Sequence, residues 1–141
     1  VVMALARFDF RPVLSAVEGL PIADFGLPDS QSAIRNPKSE ISLTFASVGN
    51  VEARAFGNSR PMNLMIRRGV IGANAPLPVV TRHVWNPHGV LVLHSDGVRT
   101  HWRREDFPAL ANATAAEAAA QLLRALAQDD DDATVVVVKG L

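Results

Sequence analysis

Two acidic segments of the sequence lie directly beside strongly apolar runs. The pair Asp96-Gly97 follows closely on the run 90–93 (VLVL), and the aspartates 129–132 are separated by only two residues from the run 135–138 (VVVV). Runs of large aliphatic residues without polar alternation indicate strands that are covered on both faces. Two such strands in one core can bring their acidic ends to a single point. Because crowded carboxylates repel one another and a divalent cation relieves that repulsion, the pattern predicts half of a metal site.

Each acidic segment also has a purely structural interpretation. Four consecutive aspartates are typical of a solvated linker, and Asp-Gly is a common hairpin turn. Two observations favour metal binding: the aspartates follow a predicted helix C-terminus, where the helix dipole disfavours negative charge, and Asp131 and Asp132 lie at the edge of a buried strand. Because all the candidate ligands are oxygen atoms, the expected ion is Mn²⁺ or Mg²⁺ rather than zinc.

The length, net charge and composition of the sequence limit the classes of protein to consider. A chain of 141 residues is long enough for one domain with a core of its own. Fourteen basic side chains balance fourteen acidic ones, which disfavours a nucleic-acid partner. The sequence has no cysteine and no apolar run as long as a membrane span. We therefore expect a cytoplasmic protein that neither enters a membrane nor uses a thiol nucleophile.

Apolar residues with a period of two predict most of the strands. The segment 1–10 alternates in this way, and so do 41–48 and 51–55, which are joined by Gly49-Asn50 as a hairpin or a sharp corner. An edge strand is predicted over 79–85, before the turn residues 86–89. The apolar runs 90–93 and 135–138 complete the set.

Residues 11–40 differ in composition from their surroundings. Four prolines, at 12, 21, 28 and 37, recur among glycine, serine and asparagine, and this density excludes a long helix or a central strand. We interpret 11–40 as a disordered insertion at a hairpin tip. Without it, 1–10 and 41–48 become neighbouring antiparallel strands.

One helix is clearly predicted, from Thr114 to about Ala127. Thr114 and Glu117 fit a capping box, in which each side chain binds a free backbone donor of the first turn. A shorter helical turn is expected within 102–110, interrupted by Pro108. The apolar face of the long helix is predicted from helical spacing to consist of Ala115, Ala119, Leu122 and Leu126, with Leu123 beside them.

Three segments together resemble a known family. The segments are 91–97 (LVLHSDG), 131–138 (DDATVVVV) and 42–54 (SLTFASVGNVEAR). They are similar to the SpoIIE-type branch of the metal-dependent PPM protein serine/threonine phosphatases, over residues 1–10 and 41–141. The resemblance implies an α+β fold, a sandwich of two antiparallel sheets with flanking helices, truncated here at its N-terminus.

The resemblance also implies a site. It makes Asp96 and Asp131 ligands of Mn²⁺ or Mg²⁺, with a metal-bound water as the nucleophile and no catalytic side chain. The residues expected to support this site are Ser95, Gly97, Asp132, Thr134, Gly49 and Asn50. The implied activity is hydrolysis of phosphoserine or phosphothreonine on a bacterial regulatory protein, of the kind that antagonises anti-sigma factors.

One departure from the family pattern weakens this expectation. The family takes further metal ligands from an Asp-Gly-rich motif near its N-terminus, and none of the early aspartates (Asp9, Asp24 and Asp29) precedes a glycine. We therefore expect residues 1–141 to be a partial domain with impaired activity. The alternative is a non-catalytic binding or regulatory module.

Other chemistry-bearing residues suggest weaker alternatives. The spacings of His83, His88, His94 and His101 match no zinc pattern. His94, Ser95 and Asp96 are adjacent on a strand, so their side chains alternate between faces and cannot form a catalytic relay. The pairs at 67–68 and 103–104 are arginines that contact either solvent or a phosphate on a partner.

Overall fold

Two three-stranded antiparallel sheets form the framework of the protein. The computed structural model describes residues 3–11, 40–70 and 76–140. One sheet, with the order β1-β2-β4, contains β1 (Met3–Arg11), β2 (Glu40–Val48) and β4 (Thr81–Trp85). The other, with the order β3-β5-β6, contains β3 (Val51–Phe56), β5 (Val90–Ser95) and β6 (Val135–Lys139). The helices α1 (Ala109–Asn112) and α2 (Ala115–Leu126) follow a 3₁₀ turn, Arg104–Asp106. The predicted α+β class is confirmed.

In the first sheet, side chains along β2 alternate between buried and half-buried, as the period of two predicts. Leu43 and Phe45 of β2 are fully buried, whereas Ser42, Thr44 and Ala46 are half-buried. β1 pairs antiparallel with β2 along its whole length, so the predicted neighbourhood of these strands is confirmed. Arg11 and Glu40 pair with each other as strand ends rather than belonging to an insertion. The rest of the predicted insertion, 12–39, lies outside the described residues.

The chain changes sheets at the Gly49-Asn50 corner. Val48 ends a strand of the first sheet and Val51 begins a strand of the second, so the corner, not the hairpin, is observed. Gly49 has a φ of 117°, a conformation that favours glycine because a Cβ atom would meet the neighbouring backbone. This one residue therefore sets the direction in which the second sheet starts.

β5 is buried on both faces, as its sequence predicts. On one face Leu91 packs between the two sheets with Leu43 and Trp85. On the other face Val90 and Val92 pack under the helices. Leu91 and Val92 are both fully buried, and full burial of such a side chain stabilises a fold by about 1.5–3 kcal/mol. The layers are therefore sheet, sheet and helices, with β5 in the middle layer.

The second helix has the predicted capping box. The Thr114 hydroxyl accepts a hydrogen bond from the Glu117 backbone N–H (3.2 Å), and the Glu117 carboxylate accepts one from the Thr114 backbone N–H (2.9 Å). The buried face consists of Ala118, Leu122 and Leu126. Of the predicted face, Leu122 and Leu126 are buried, Ala115 and Ala119 are half-buried, and Leu123 at its border is 36% exposed.

Pro108 stands between two helical segments: the 3₁₀ turn Arg104–Asp106 ends before it, as predicted, and α1 begins directly after it. It is the N-cap of α1, where its missing N–H leaves no hydrogen bond unmade. The other end of α1 is held by Lys139, whose ammonium group donates hydrogen bonds to the carbonyls of Ala109 and Ala113. A cation at a helix C-terminus also interacts favourably with the helix dipole.

None of the helices in the described part of the chain has the length and hydrophobicity that a membrane span requires.

We predict that α2 depends on one of two adjacent leucines. Leu122 is 1% exposed and Leu123 is 36% exposed. Leu122→Ala leaves a cavity under the helix and should lower the free energy of unfolding by about 3 kcal/mol. The matched change Leu123→Ala should lower it by less than about 1 kcal/mol. Urea unfolding followed by circular dichroism measures both, and equal effects would contradict the packing described.

We also predict a low pKa for Glu117. The hydrogen bond from the Thr114 backbone, and then that from its hydroxyl, hold the pKa of this carboxyl below its ordinary value of 4.5. Since the folded-state pKa is depressed, the cap stabilises the helix above pH 4.5 and loses its contribution as the pH falls through the lower folded-state value. NMR titration should show this low pKa, and Thr114→Ala should move it back towards 4.5. An unchanged value in the variant would contradict the prediction.

Candidate functional site

The two acidic turns meet, and Ser95 joins them. The Ser95 hydroxyl accepts a hydrogen bond from the Thr134 backbone N–H (2.9 Å) and donates one to the Asp132 carbonyl (3.1 Å). The Ser95 backbone N–H donates to the Thr134 carbonyl (3.1 Å). One small polar residue at the end of β5 therefore anchors the turn that leads into β6.

Gly97 permits the close approach of the same two turns. A Cβ atom at this position would lie 2.4 Å from the Asp132 carbonyl oxygen and 2.7 Å from its carbon. These atoms belong to the backbone, so they cannot rotate away as the end of a side chain could. Glycine is thus required here by contact, not by an unusual backbone angle.

Asp96 is held at both ends while its side chain remains exposed. Its carboxylate accepts a hydrogen bond from the Asn50 amide at 2.9 Å, across a sequence separation of 46 residues. Its backbone carbonyl accepts one from the Gln128 amide at 2.8 Å. Because both partners come from distant segments, the position of the carboxylate is fixed by the fold.

An open cleft of about 410 Å³ lies beside the Asp96 carboxylate, and we call it the Asp96 cleft. Two carboxylates and one guanidinium line it, which gives a formal charge of −2 + 1 = −1. The remaining lining is part apolar and part polar but uncharged. Its lining residues are Gly49, Asn50, Val51, Glu52, Ile66, Arg68, Asp96 and Thr100.

One wall of the cleft is fixed by the segment that follows β3. The Gly49 N–H donates to the Arg67 carbonyl (2.8 Å), and the Arg67 N–H donates to the Ser47 carbonyl (3.3 Å). These bonds form an isolated parallel bridge to the end of β2. Ile66 and Arg68, on either side of Arg67, are thereby placed at the cleft.

Thr100, another residue at the cleft, is held in place by Arg54. Its guanidinium lies 4.6 Å from the centre of the Trp102 ring and donates hydrogen bonds to the carbonyls of Trp102 and Thr100. A guanidinium that stacks on an indole and also donates to two carbonyls is held in position by both kinds of contact. The loop that carries Thr100 is therefore tied to β3.

Asp131, the second predicted metal ligand, is not among the residues that line the Asp96 cleft. Its carboxylate accepts a hydrogen bond from the Asp132 backbone N–H at 2.8 Å, within its own exposed turn. Within the described part of the chain, no three His, Cys, Asp or Glu side chains are grouped so as to hold a metal ion. These residues do not offer the oxygen-rich ligand set of a dedicated Mn²⁺ or Mg²⁺ site. Metal binding by Asp96 and Asp131 stays a prediction.

The other residues of the predicted site lie either at the cleft or where the two turns meet. Gly49 and Asn50 line the cleft, whereas Ser95, Gly97, Asp132 and Thr134 form the junction of the two turns. His94 is buried under the helices, where its Nδ1 lies 2.9 Å from the Ser95 carbonyl. Because a carbonyl only accepts, this contact requires the proton on Nδ1.

Three of the polar residues that line the cleft were not predicted from the sequence to belong to a site. Glu52 fits the exposed half of an alternating strand, Thr100 follows the acidic turn, and Arg68 belongs to an arginine pair with a noted phosphate alternative. No local signal distinguishes these residues from an ordinary surface. They meet only because the chain changes sheets at Gly49 and Arg54 ties down the loop before Trp102.

The comparisons with known proteins give one likeness. No family model matches the chain, and no curated protein matches it. A solved structure described as "The bacterial stressosome: a modular system that has been adapted to control secondary messenger signaling" is similar, with a TM-score of 0.59 and 19% identity. The likeness covers 73% of this chain and 59% of that chain. At this identity it shows a shared fold.

This finding corrects the predicted family. The similar structure is described as a stressosome, and no phosphatase family model matches. The identification as a SpoIIE-type PPM phosphatase is therefore withdrawn, together with the hydrolysis of phosphoserine and phosphothreonine that it implied. The description as a metal-dependent hydrolase is withdrawn with it, since the described residues contain no group of three or more His, Cys, Asp or Glu side chains that could hold a metal ion.

We predict that Ser95 is needed to hold the two turns together. Ser95→Ala removes both hydrogen bonds of the hydroxyl and leaves the Thr134 N–H without this acceptor. The free energy of unfolding should fall by about 1–3 kcal/mol. The control Ser42→Ala, at a half-buried position on β2, should change it by no more than about 0.5 kcal/mol. Urea unfolding compares the two variants, and equal values would contradict the role assigned to Ser95.

Proposed function

We propose that the chain is a non-catalytic regulatory module that binds a partner protein at the Asp96 cleft. The observation that carries this proposal is the Asp96 carboxylate itself, which is exposed yet held in place by Asn50. A positioned, solvent-accessible carboxylate binds a partner without the loss of side-chain freedom that a mobile one would suffer. The similar stressosome structure, described as a modular system that controls signalling, supports a regulatory role.

The groups around Asp96 favour binding over catalysis. Ser95, the nearest hydroxyl in sequence, is engaged with the backbone of the β6 turn at 2.9 and 3.1 Å. His94 is buried with its Nδ1 against a carbonyl, so it is not available to activate a nucleophile in the cleft. Because the cleft is open to solvent, a segment of another protein can enter it.

The charges of the cleft indicate which side chain of the partner it receives. Glu52 and Asp96 supply two carboxylates, and Val51 and Ile66 supply apolar surface beside them. This combination suits a lysine or arginine, whose aliphatic stem packs on apolar groups while its charged end meets the carboxylates. Arg68 then lies in a position to pair with an acidic group on the same partner.

A phosphorylated partner, as expected from the sequence, fits this cleft less well. Arg68 is the sole cation among the described residues that line it. The carboxylates of Glu52 and Asp96 would repel a phosphate group. We therefore propose a basic recognition segment on a regulatory protein, and we place the interaction in the cytoplasm, with which the lack of cysteine agrees.

We predict selective binding of a basic peptide. The ¹⁵N-labelled chain is titrated with three peptides of equal length, one rich in lysine and arginine, one rich in glutamate and one carrying phosphoserine. The basic peptide should shift the amide signals of Asn50, Glu52, Asp96 and Thr100. Asp96→Asn should raise the dissociation constant of that peptide by about fivefold, because one ion pair is lost.

Asp130 provides the matched control for the peptide titration. Asp130→Asn makes the same chemical change at an exposed position outside the cleft, so it should leave the dissociation constant unchanged. Shifts caused by the acidic or the phosphoserine peptide instead, or no shifts at millimolar basic peptide, would refute binding of a cationic segment at this cleft.

We also predict no phosphatase turnover. The chain and its Asp96→Asn variant should hydrolyse p-nitrophenyl phosphate at the same background rate in the presence of Mn²⁺. Release of p-nitrophenol measures the rate. Turnover by the parent that disappears in the variant would show that the module is an enzyme and would overturn the proposed function.

A further inference from the structure

β1 offers a long sheet edge to another strand. It has nine residues and pairs with β2 along one side, and within the described residues no strand pairs with its other side. Such an edge presents a row of backbone donors and acceptors that another strand can bind. Native edge strands are commonly protected by proline or lysine, and the segment 3–11 contains neither.

The outward face of β1 carries a charge pattern that selects a partner strand. Leu5 is 60% exposed, and Arg7 and Asp9 follow it at alternate positions. The Arg7 guanidinium and the Asp9 carboxylate form an ion pair of 2.8 Å, with side-chain exposures of 72% and 35%. One positive and one negative group, two residues apart on one face, form a pattern that an antiparallel copy of itself complements.

We propose that two copies of this chain pair through β1 as an antiparallel, two-fold symmetric dimer. The two-fold axis passes beside Phe8, so Arg7 of each copy stands opposite Asp9 of the other. The two first sheets then form one continuous six-stranded sheet. Because the contact is the same for both copies, it closes on itself and does not propagate into a fibre.

Charge distinguishes this register from its neighbours. Pairing with the axis beside Arg7 would oppose two guanidinium groups, and pairing with the axis beside Asp9 would oppose two carboxylates. With the axis beside Ala6, each Arg7 would stand opposite a Leu5. Directly opposed opposite charges stabilise an antiparallel pair, and like charges destabilise it. Registers between these would place an outward residue opposite an inward one.

The inward face of β1 is compatible with the same register. Phe8 is half-buried and packs edge-on against Trp85, with ring centres 5.2 Å apart. In the dimer the Phe8 side chains of both copies are directly opposed across the axis. Their exposed parts then cover each other, and aromatic cross-strand pairs are favourable.

The size of the contact sets the expected affinity. One strand pair buries less surface than the roughly 800 Å² per partner of a standard interface. We therefore expect a dissociation constant on the order of 100 μM. The contact involves neither the Asp96 cleft nor its residues, so it is independent of the proposed function.

Sedimentation velocity over roughly 5–500 μM chain, which spans the expected dissociation constant, tests the dimer. Arg7→Asp and Asp9→Arg each oppose like charges and should raise the dissociation constant by about tenfold or more. The double variant, carrying both changes, restores opposite charges at the same positions and should return the constant to that of the parent. Arg82→Asp, on the exposed surface of β4, is the control and should leave it unchanged.

Disulfide formation tests the register separately. The chain has no cysteine, so Arg7→Cys and Asp9→Cys each introduce a single thiol. Opposed Cα atoms in an antiparallel pair are about 4.5–5.5 Å apart, within the range that a disulfide spans. Oxidation of an equal mixture should therefore give mainly the mixed dimer.

Three results would each contradict the proposed dimer, provided that the variants fold. Thermal unfolding at about 5 μM, well below the expected dissociation constant, checks that each variant folds, since the charge changes also break the ion pair within the chain. A parent that stays monomeric to 500 μM, a dimer that ignores the single charge reversals, or equal yields of mixed and matched disulfides would each overturn the proposal. The threshold of about 500 μM is several times the expected dissociation constant.

Discussion

The structure depends on the burial of one strand from both sides. β5 contributes Leu91 to the core between the sheets and Val92 to the core under the helices, and both side chains are fully buried. A strand in that position cannot shift by one residue without exchanging the side chains of the two cores. Its end is therefore fixed in space. The Asp96 turn, which follows directly, inherits that fixed position.

The site arises from the way other segments are fastened to this fixed end. Ser95 attaches the β6 turn, Asn50 attaches the corner between the sheets, and Gln128 attaches the segment that follows α2. Each of these contacts spans more than 30 residues of sequence. The result is a carboxylate that is exposed to solvent but stationary. The proposed binding function requires a carboxylate of this kind.

Much of the fold follows from local patterns in the sequence. The alternation in β2, the apolar run of β5 and the capping box of α2 each identify an element because one physical rule dominates there. Where two rules compete, the local pattern fails. In 102–110, Pro108 ends the 3₁₀ turn before it, as the pattern predicts, and also starts α1, which the pattern does not predict.

The site was less predictable for a related reason. Ser95, Gly97 and the aspartates after α2 form a pattern similar to a metal site, yet the hydroxyl and the glycine are needed where they stand simply to join two turns. The same residue types serve a tight backbone junction and a cation, so the motif alone cannot separate the two roles. Glu52 and Arg68 carry no local sign of function, because their meeting depends on a change of sheet some residues away.

The two cores have one more consequence, which concerns how the molecule can be observed. Trp85 lies in the core between the sheets, and Trp102 lies in the core under the helices with the Arg54 guanidinium against its ring. The sequence contains no other tryptophan and no tyrosine. Each hydrophobic layer thus contains its own intrinsic fluorophore, in a different electrostatic environment. Replacing one indole at a time by phenylalanine would give separate optical signals for the loosening of each layer and for motion of the loop at the cleft.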